Sequence, residues 1–336
     1  MHNTSTVLIL GARGRFGRAA AQAFADAGWK VIGQLRPGAE TPRIPGVQWL
    51  PAEPGDTATL AASARAASVV VQGLSPVYTN RAWRTEVPRL TQAAIDISRE
   101  LGALLMLPAS VYNFGDSMPA RLEEDTPQRP STAKGRMRQA SEQQILAATR
   151  DGRMQAVVIR GGDFFGSGTG SWFDQVMVKK LHQGAFTYPG RLDVPTSWAY
   201  LPDMARSFVA VAQQRERLPA FETLHFAGHQ LTGRQWADVV AQVAREQGWL
   251  PAGRDLKVTS VSWTQMRLLG LVVPVLAALC EMRYLWRLPY RLVNKRMLAL
   301  AGPEPQTPFP VALRKALAEP QLPAAAQAVP HPARAA

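Results

Sequence analysis

Cysteine is almost absent from this chain: Cys280 is the one thiol in 336 residues. A lone cysteine excludes an internal disulfide framework and suits a reducing compartment. Long apolar runs are missing too. The longest, Leu268 to Cys280, is interrupted by Pro274 and is too short to cross a bilayer. It reads instead as a buried or amphipathic helix, and with the basic surface it could support loose contact with a membrane. The N-terminus offers only His2 as a positive group before its first apolar stretch, so no secretory signal is expected and the expected location is the cytoplasm. Histidine is scarce, five in all, and His182, His225 and His229 lack the spacing of metal ligands, so no metal is expected. Acidic side chains are in deficit, 25 against 38 basic ones, for a net charge of +13. The basic residues are scattered rather than gathered in one patch, which argues against a nucleic-acid partner. An anionic ligand such as a phosphorylated cofactor accounts for part of the excess.

Against these absences stands one organised stretch, Val7 to Arg18. Four apolar residues, Val7 to Leu10, read as a buried strand, and Gly11, Gly14 and Gly17 follow at G-x-x-G-x-x-G spacing. Alanines then continue as a helix. This strand–turn–helix order aims backbone N–H groups and a helix N-terminus at a pyrophosphate, and glycine is needed because a Cβ would block the turn. Arg13, Arg15 and Phe16 share the loop and join Gly11, Gly14 and Gly17 as the expected cofactor-binding set.

Downstream, short apolar strands alternate with helices. Strands are expected over 30–36, 47–50, 68–74, 103–107 and 155–160, with Asp56 capping one helix and longer helices over about 81–100 and 133–149. Continuous β-branched runs such as Val69-Val70-Val71 suit a sheet covered on both faces. The pattern predicts an α/β fold: a Rossmann-type, doubly wound parallel sheet with a smaller C-terminal substrate lobe. The expected division is a dinucleotide-binding domain over 1–160 and a mixed lobe over 161–318. Segments around 198–227 are expected to return to the first domain, and 319–336 is expected to be a disordered Ala/Pro tail. At the end of the second strand an acidic residue would favour NAD through the ribose 2′-hydroxyl. The chain has Arg36 there, which favours the 2′-phosphate of NADP, with NAD as the alternative. Glu53, past the third strand, and Gly73, at the end of the fourth, complete the expected cofactor-facing residues of this half.

Taken together these motifs resemble the extended or atypical short-chain dehydrogenase/reductase superfamily, of the NAD-dependent epimerase/dehydratase kind. The glycine loop is similar to the family's T-G-x-x-G-x-x-G, with Leu10 in the threonine's place. Leu107 to Gly115 resembles its S-S-x-x-V-Y-G strand end, and Glu123 to Pro127 its T-E-x-x-P loop. Ile159 to Gly166 resembles the R-P-x-x-x-Y-G segment that closes over the nicotinamide, which adds Gly162 to the expected cofactor contacts. Trp198 to Ala205 is similar to V-x-V-x-D-V-A. The resemblance runs in family order over roughly 4–318 and implies a nicotinamide cofactor, a small-molecule substrate and room for a homo-oligomer.

The family's chemistry rests on a Ser/Thr and a Tyr-x-x-x-Lys pair, and no Tyr-x-x-x-Lys occurs in this chain. Counting along Pro130 to Arg138 puts Lys134 in the tyrosine's place and Arg138 in the lysine's. Pro108 falls in the serine's place, with Ser110 close by. Two cations four residues apart share a helix face and repel unless an anion joins them, so cofactor or substrate is expected between them. The resemblance then implies Arg138 bonding the nicotinamide ribose and Lys134 acting as acid or electrostatic catalyst, with Ser110 as a third candidate. Asp163, in a glycine-rich turn, is a further polar candidate. Trp172, Phe173, Tyr188, Trp198 and Tyr200 suit either a substrate pocket or plain core. The alternative to an enzyme is a non-catalytic NADP-binding redox sensor of the NmrA-like kind, which losing the whole catalytic set would suit.

Overall fold

A computed structural model describes residues 5–251 and 253–318; the expected disordered tail lies outside the described residues. The first half alternates β1 (Thr6–Leu10), α1 (Arg15–Asp26), β2 (Lys30–Leu35), β3 (Val47–Pro51), α2 (Thr57–Ser63), β4 (Ala67–Gln72), α3 (Asn80–Leu101) and β5 (Leu104–Ala109). After a short β6 (Arg121–Leu122) come α4 (Ala133–Ala148), β7 (Gln155–Arg160), β8 (Asp163–Phe165), β9 (Ala185–Tyr188) and β10 (Thr196–Tyr200). The chain ends with α5 (Leu201–Gln213), β11 (Phe221–His225), β12 (His229–Leu231), α6 (Gly233–Glu246), β13 (Lys257–Ser260), α7 (Trp263–Leu269), α8 (Pro274–Cys280), β14 (Arg291–Leu292), α9 (Lys295–Ala301) and α10 (Phe309–Ala318).

Seven strands form one sheet in the order β11-β7-β5-β4-β1-β2-β3, every pair parallel. The period-2 alternation of a strand explains how both faces are filled. Val7 and Ile9 pack on the side of α1 and α5, where Phe16 and Phe208 meet at 4.7 Å. Leu8 and Leu10 face the other side with Leu60 of α2, Ala94 and Ile97 of α3, and Ile145 of α4. A strand with no polar face needs cover on both sides, and the crossover helices supply it. The order reverses between β1 and β4, which opens a crevice at the carboxyl ends of those strands.

A second core sits in the later segments, around Phe165, Trp198, Trp236, Trp286 and Phe309. Phe173, Tyr188, Trp198 and Tyr200 belong to it as buried residues, and Trp172 packs half-buried at its edge, so these aromatics are core. The apolar run 268–280 is not the single helix its composition suggests. Pro274 takes the first position of α8, and its ring holds Val273 in an extended conformation (φ −115°, ψ 97°), which ends α7 and forces a turn.

Candidate functional site

At the carboxyl end of β1 three glycines converge. Gly11 has φ +70°, and a Cβ on Gly17 would stand 2.2 Å from the Gly11 carbonyl oxygen, backbone against backbone. Gly73, at the end of β4, closes on the same point, its Cβ position 2.9 Å from the Leu10 carbonyl oxygen. Gly14 is the N-cap of α1 and no side chain caps it, an arrangement that suits an anion at the helix N-terminus. Gln34, buried in β2, stitches this region together. Its Oε1 accepts from the Gly11 N–H at 2.7 Å and its Nε2 donates to the Ala52 carbonyl at 2.7 Å.

The arginines of this end are placed differently from one another. Arg36 is exposed just past β2, and Arg13 is half-buried in the loop. Arg15 reaches across the crevice instead. Its Nη2 donates to the carbonyls of Gly166 (3.1 Å) and Phe164 (3.4 Å), and its own carbonyl accepts from Ser167 Oγ at 2.7 Å. Arg15 thus clasps the glycine loop to the segment after β8. Phe16 is buried against α5, and Glu53 is exposed beyond β3. Gly162 has a packing reason of its own, since a Cβ there would stand 1.9 Å from the Ser197 carbonyl oxygen of β10.

The second cluster forms where loops after β4 and β5 meet the start of α4. Thr132 caps α4 by accepting from the Gly135 N–H. A Cβ on Gly135 would lie 2.4 Å from the Tyr112 carbonyl oxygen, so only glycine lets the helix settle this close to Tyr112. Lys134 is fully enclosed there. Its Nζ donates to Asn80 Oδ1 at 2.5 Å and lies 4.5 Å from the Tyr78 ring centre and 5.4 Å from that of Trp83. Burial disfavours the ammonium and pulls its pKa down to about 8, with the Glu281 carboxylate opposing. Arg138, one turn on, stacks its guanidinium over Trp83 at 4.8 Å. Burial lowers its pKa as well, against the pull of Tyr112, Glu142 and Tyr78. The two expected cations are therefore brought together on one indole, which relieves their repulsion through its electron-rich face.

Several partners of this cluster were not among the residues expected from sequence. The Tyr78 and Tyr112 hydroxyls stand 3.2 Å apart, and Tyr284 donates to the Tyr112 carbonyl at 3.3 Å. Burial raises the Tyr78 hydroxyl well above its ordinary pKa and that of Tyr112 to about 12, so both stay protonated and neutral. Asn80 relays from Lys134 to Glu281, its amide donating to Oε1 at 2.9 Å. The aromatic density from Tyr78 to Trp83 at the head of α3 is a signal that could have pointed to this cluster. Glu281 carries none, being 147 residues from Lys134.

Ser110 follows β5 directly, and its Oγ is buried with no hydrogen-bond partner among the described residues. Asp163 opens β8, and its Oδ2 is likewise buried without a partner there. Burial pushes the Asp163 carboxyl up to about 7, with the Trp286 indole opposing the rise. The folded protein therefore holds a proton on Asp163 between pH 3.8 and about 7 that the unfolded chain has lost, and its stability falls as pH rises through that range. Asp163→Asn is expected to remove this slope, gaining stability over the wild type at pH 8 and losing the advantage at pH 4. Urea melts at both values measure it, and an equal effect at the two would show that Asp163 titrates normally.

Beneath the cluster, Arg160 of β7 and Glu142 of α4 form a buried ion pair. Gln128 Nε2 donates to Glu142 at 2.8 Å, and Asn113 lies against the same carboxylate.

Residues 7–225 match the model of the NAD dependent epimerase/dehydratase family. No curated protein sequence matches the chain significantly. Among solved structures, the Bordetella bronchiseptica enzyme WbmH in complex with NAD+ superposes with a TM-score of 0.69 at 14% identity, over 94% of this chain and 98% of that one. UDP-glucose 4-epimerase from Thermotoga maritima with UDP-glucose gives 0.69 at 12% identity, covering 93% and 97%. UDP-glucuronic acid 4-epimerase from Bacillus cereus in complex with NAD gives 0.68 at 14%, covering 93% and 96%. At these identities the likeness is one of fold. With a parallel seven-stranded sheet, a glycine loop at its switch point and a family match over most of its length, the chain belongs to the NAD dependent epimerase/dehydratase family.

Proposed function

We propose that the protein is a nicotinamide-dependent oxidoreductase or epimerase/dehydratase acting on a small molecule, that it favours NADP, and that Lys134 stands in for the family tyrosine. The observation that carries this reading is the gathering of Lys134 and Arg138 on Trp83, beside the Tyr78–Tyr112 hydroxyl pair, at the carboxyl edge of the sheet. Two cations replacing the family's pair have been built into a buried aromatic frame rather than left as solvated charges.

The residues fit a dinucleotide at the other end of the crevice. Gly11, Gly17 and Gly73 leave no side chain between the strand ends, and the N-terminus of α1 carries no side-chain cap. Gly11, Gly14 and Gly17 with Arg13 would hold the pyrophosphate and Arg36 the 2′-phosphate, while Arg138 would bond the nicotinamide ribose. The named relatives solved with NAD support a nicotinamide dinucleotide as ligand, and Arg36 favours its phosphorylated form. When bound, the nicotinamide supplies a hydride donor or acceptor. The protein's part is positioning and proton management. The neutral Tyr78 hydroxyl donates to Tyr112, which leaves the Tyr112 proton to donate to a substrate oxygen. The enclosed Lys134 ammonium stabilises negative charge developing there, and with a pKa near 8 it can exchange a proton at Nζ close to neutrality. Asp163 is a second group able to hold a proton at that pH.

Calorimetric titration with NADPH, NADP and NAD tests the reading, with the phosphorylated forms expected to bind tighter. Arg36→Asp is expected to shift the preference towards NAD by roughly tenfold, about 1.4 kcal/mol. If no dinucleotide binds, the proposal fails. If NADPH binds but a panel of carbonyl compounds and nucleotide sugars shows neither cofactor oxidation nor an epimerised or dehydrated product at any pH, the non-catalytic redox-sensing alternative takes its place.

A further inference from the structure

We propose that the turn joining α7 to α8 is a docking tip for an anionic bilayer surface. Apolar exposure is unevenly distributed over the molecule: of nine exposed large aliphatic side chains among the described residues, five fall within 268–273. Leu271 is 83% exposed, Val272 78% and Leu268 64%, with Leu269 and Val273 beside them. The base of this helical pair is firmly seated. Trp263 donates its indole N–H to the Pro189 carbonyl at 3.0 Å and stacks on Trp286 at 5.8 Å, Met282 is buried in the second core, and Ala278 is buried as well. The apolar side chains of the segment thus divide into a packed base and a bare tip. Scattered single leucines on a surface need no explanation, whereas five in six residues mark an interaction site.

Charge selects the occupant. Arg267 and Arg283 line an open pocket of about 350 Å³ together with Thr264 and the tip residues Leu268 and Leu271. Arg287 is exposed close by in sequence. Between 262 and 288 the one acidic residue is Glu281, and one of its oxygens is held by the Asn80 amide. Aliphatic side chains flanked by Arg267 and Arg283 match the boundary of an anionic membrane, where the leucines enter the acyl edge and the guanidiniums meet headgroup phosphates. A second copy of the chain suits this tip poorly. A two-fold interface sets the same patch against itself and would bring the arginines of both copies together. No helix among the described residues is long and apolar enough to cross a membrane, so the contact would be a surface one.

Sedimentation of the full chain with phosphatidylcholine vesicles, with and without phosphatidylglycerol, tests this. The protein is expected to pellet with the anionic vesicles and to be released by added salt. The double variant Leu271→Asp/Val272→Asp is expected to lower partitioning about tenfold or more, and Arg267→Glu several-fold, with far-UV spectra and melting temperatures unchanged because these side chains touch solvent. Three results would overturn the proposal: wild-type protein staying in the supernatant with anionic vesicles, the double variant pelleting like wild type, or a lipid-free dimer that Leu271→Asp dissociates.

Discussion

Lys134→Met is expected to cut turnover by roughly 10²–10⁴-fold, the usual worth of a positioned proton-transfer group, while leaving the protein folded. The two effects separate because the ammonium is enclosed among Asn80, Tyr78 and Trp83, where its charge is disfavoured. An unbranched apolar side chain of similar length fills the same space without that penalty, so stability at neutral pH is expected to hold or rise. The pH dependence gives a second signature. Between about 8 and 10.5 the unfolded chain keeps the lysine proton that the folded protein has released, so wild-type stability climbs with pH across that window. Lys134→Met is expected to lack the climb and to lose any kinetic titration near pH 8. Turnover followed by nicotinamide absorbance, with urea melts at pH 7 and pH 10, measures both. Unchanged turnover with the climb intact in the variant would remove Lys134 from the chemistry.

The largest loss of stability is expected from Glu142→Ala. Arg160 is only 2% exposed and Glu142 is buried with it, so removing the carboxylate strands a guanidinium in the core. Gln128 loses its acceptor at the same time. Breaking a buried pair in this way costs about 3–5 kcal/mol, a large share of the roughly 5–15 kcal/mol that holds a folded domain together. A drop in melting temperature of roughly 5–15 °C should accompany it. The double variant Glu142→Leu/Arg160→Met is expected to recover most of the loss, because it removes both charges and leaves apolar groups of similar volume. Guanidinium melts of the two variants decide the matter. A single-variant loss under about 1 kcal/mol would mean that water reaches Arg160.

Much of the first half could be read from residue order alone. The strand Gln155–Arg160 has the bounds its apolar run suggests, and Asp56 caps α2 by accepting from the Thr59 N–H, as its place before Thr57 implies. The glycine spacing after β1 names its own turn, because Gly11 adopts φ +70° and Gly17 sits where any side chain would strike backbone. These are local matters, settled within a few residues by sterics and side-chain period.

The cluster around Lys134 is of another kind. Sequence spacing placed Lys134 and Arg138 on one face of a helix and expected an anion between them. It did not show that Trp83, from a different helix, lies against both. Nor did it show that Asn80 passes Lys134 on to Glu281, or that Arg15 spans to Phe164 and Gly166 rather than serving only its own loop. The break at Pro274 was visible in the sequence, but the outcome for the leucines around it was not, since burial or exposure depends on which surface the rest of the chain leaves covered.

By itself, then, the sequence determined the strand–glycine–helix crevice and the α/β alternation, because period and backbone sterics act over a handful of neighbours. Only the tertiary structure decided the electrostatics of the site and the bare tip. A pKa or an exposed patch is set by what surrounds a group in space, and at Lys134 that surround is drawn from residues up to 147 positions away.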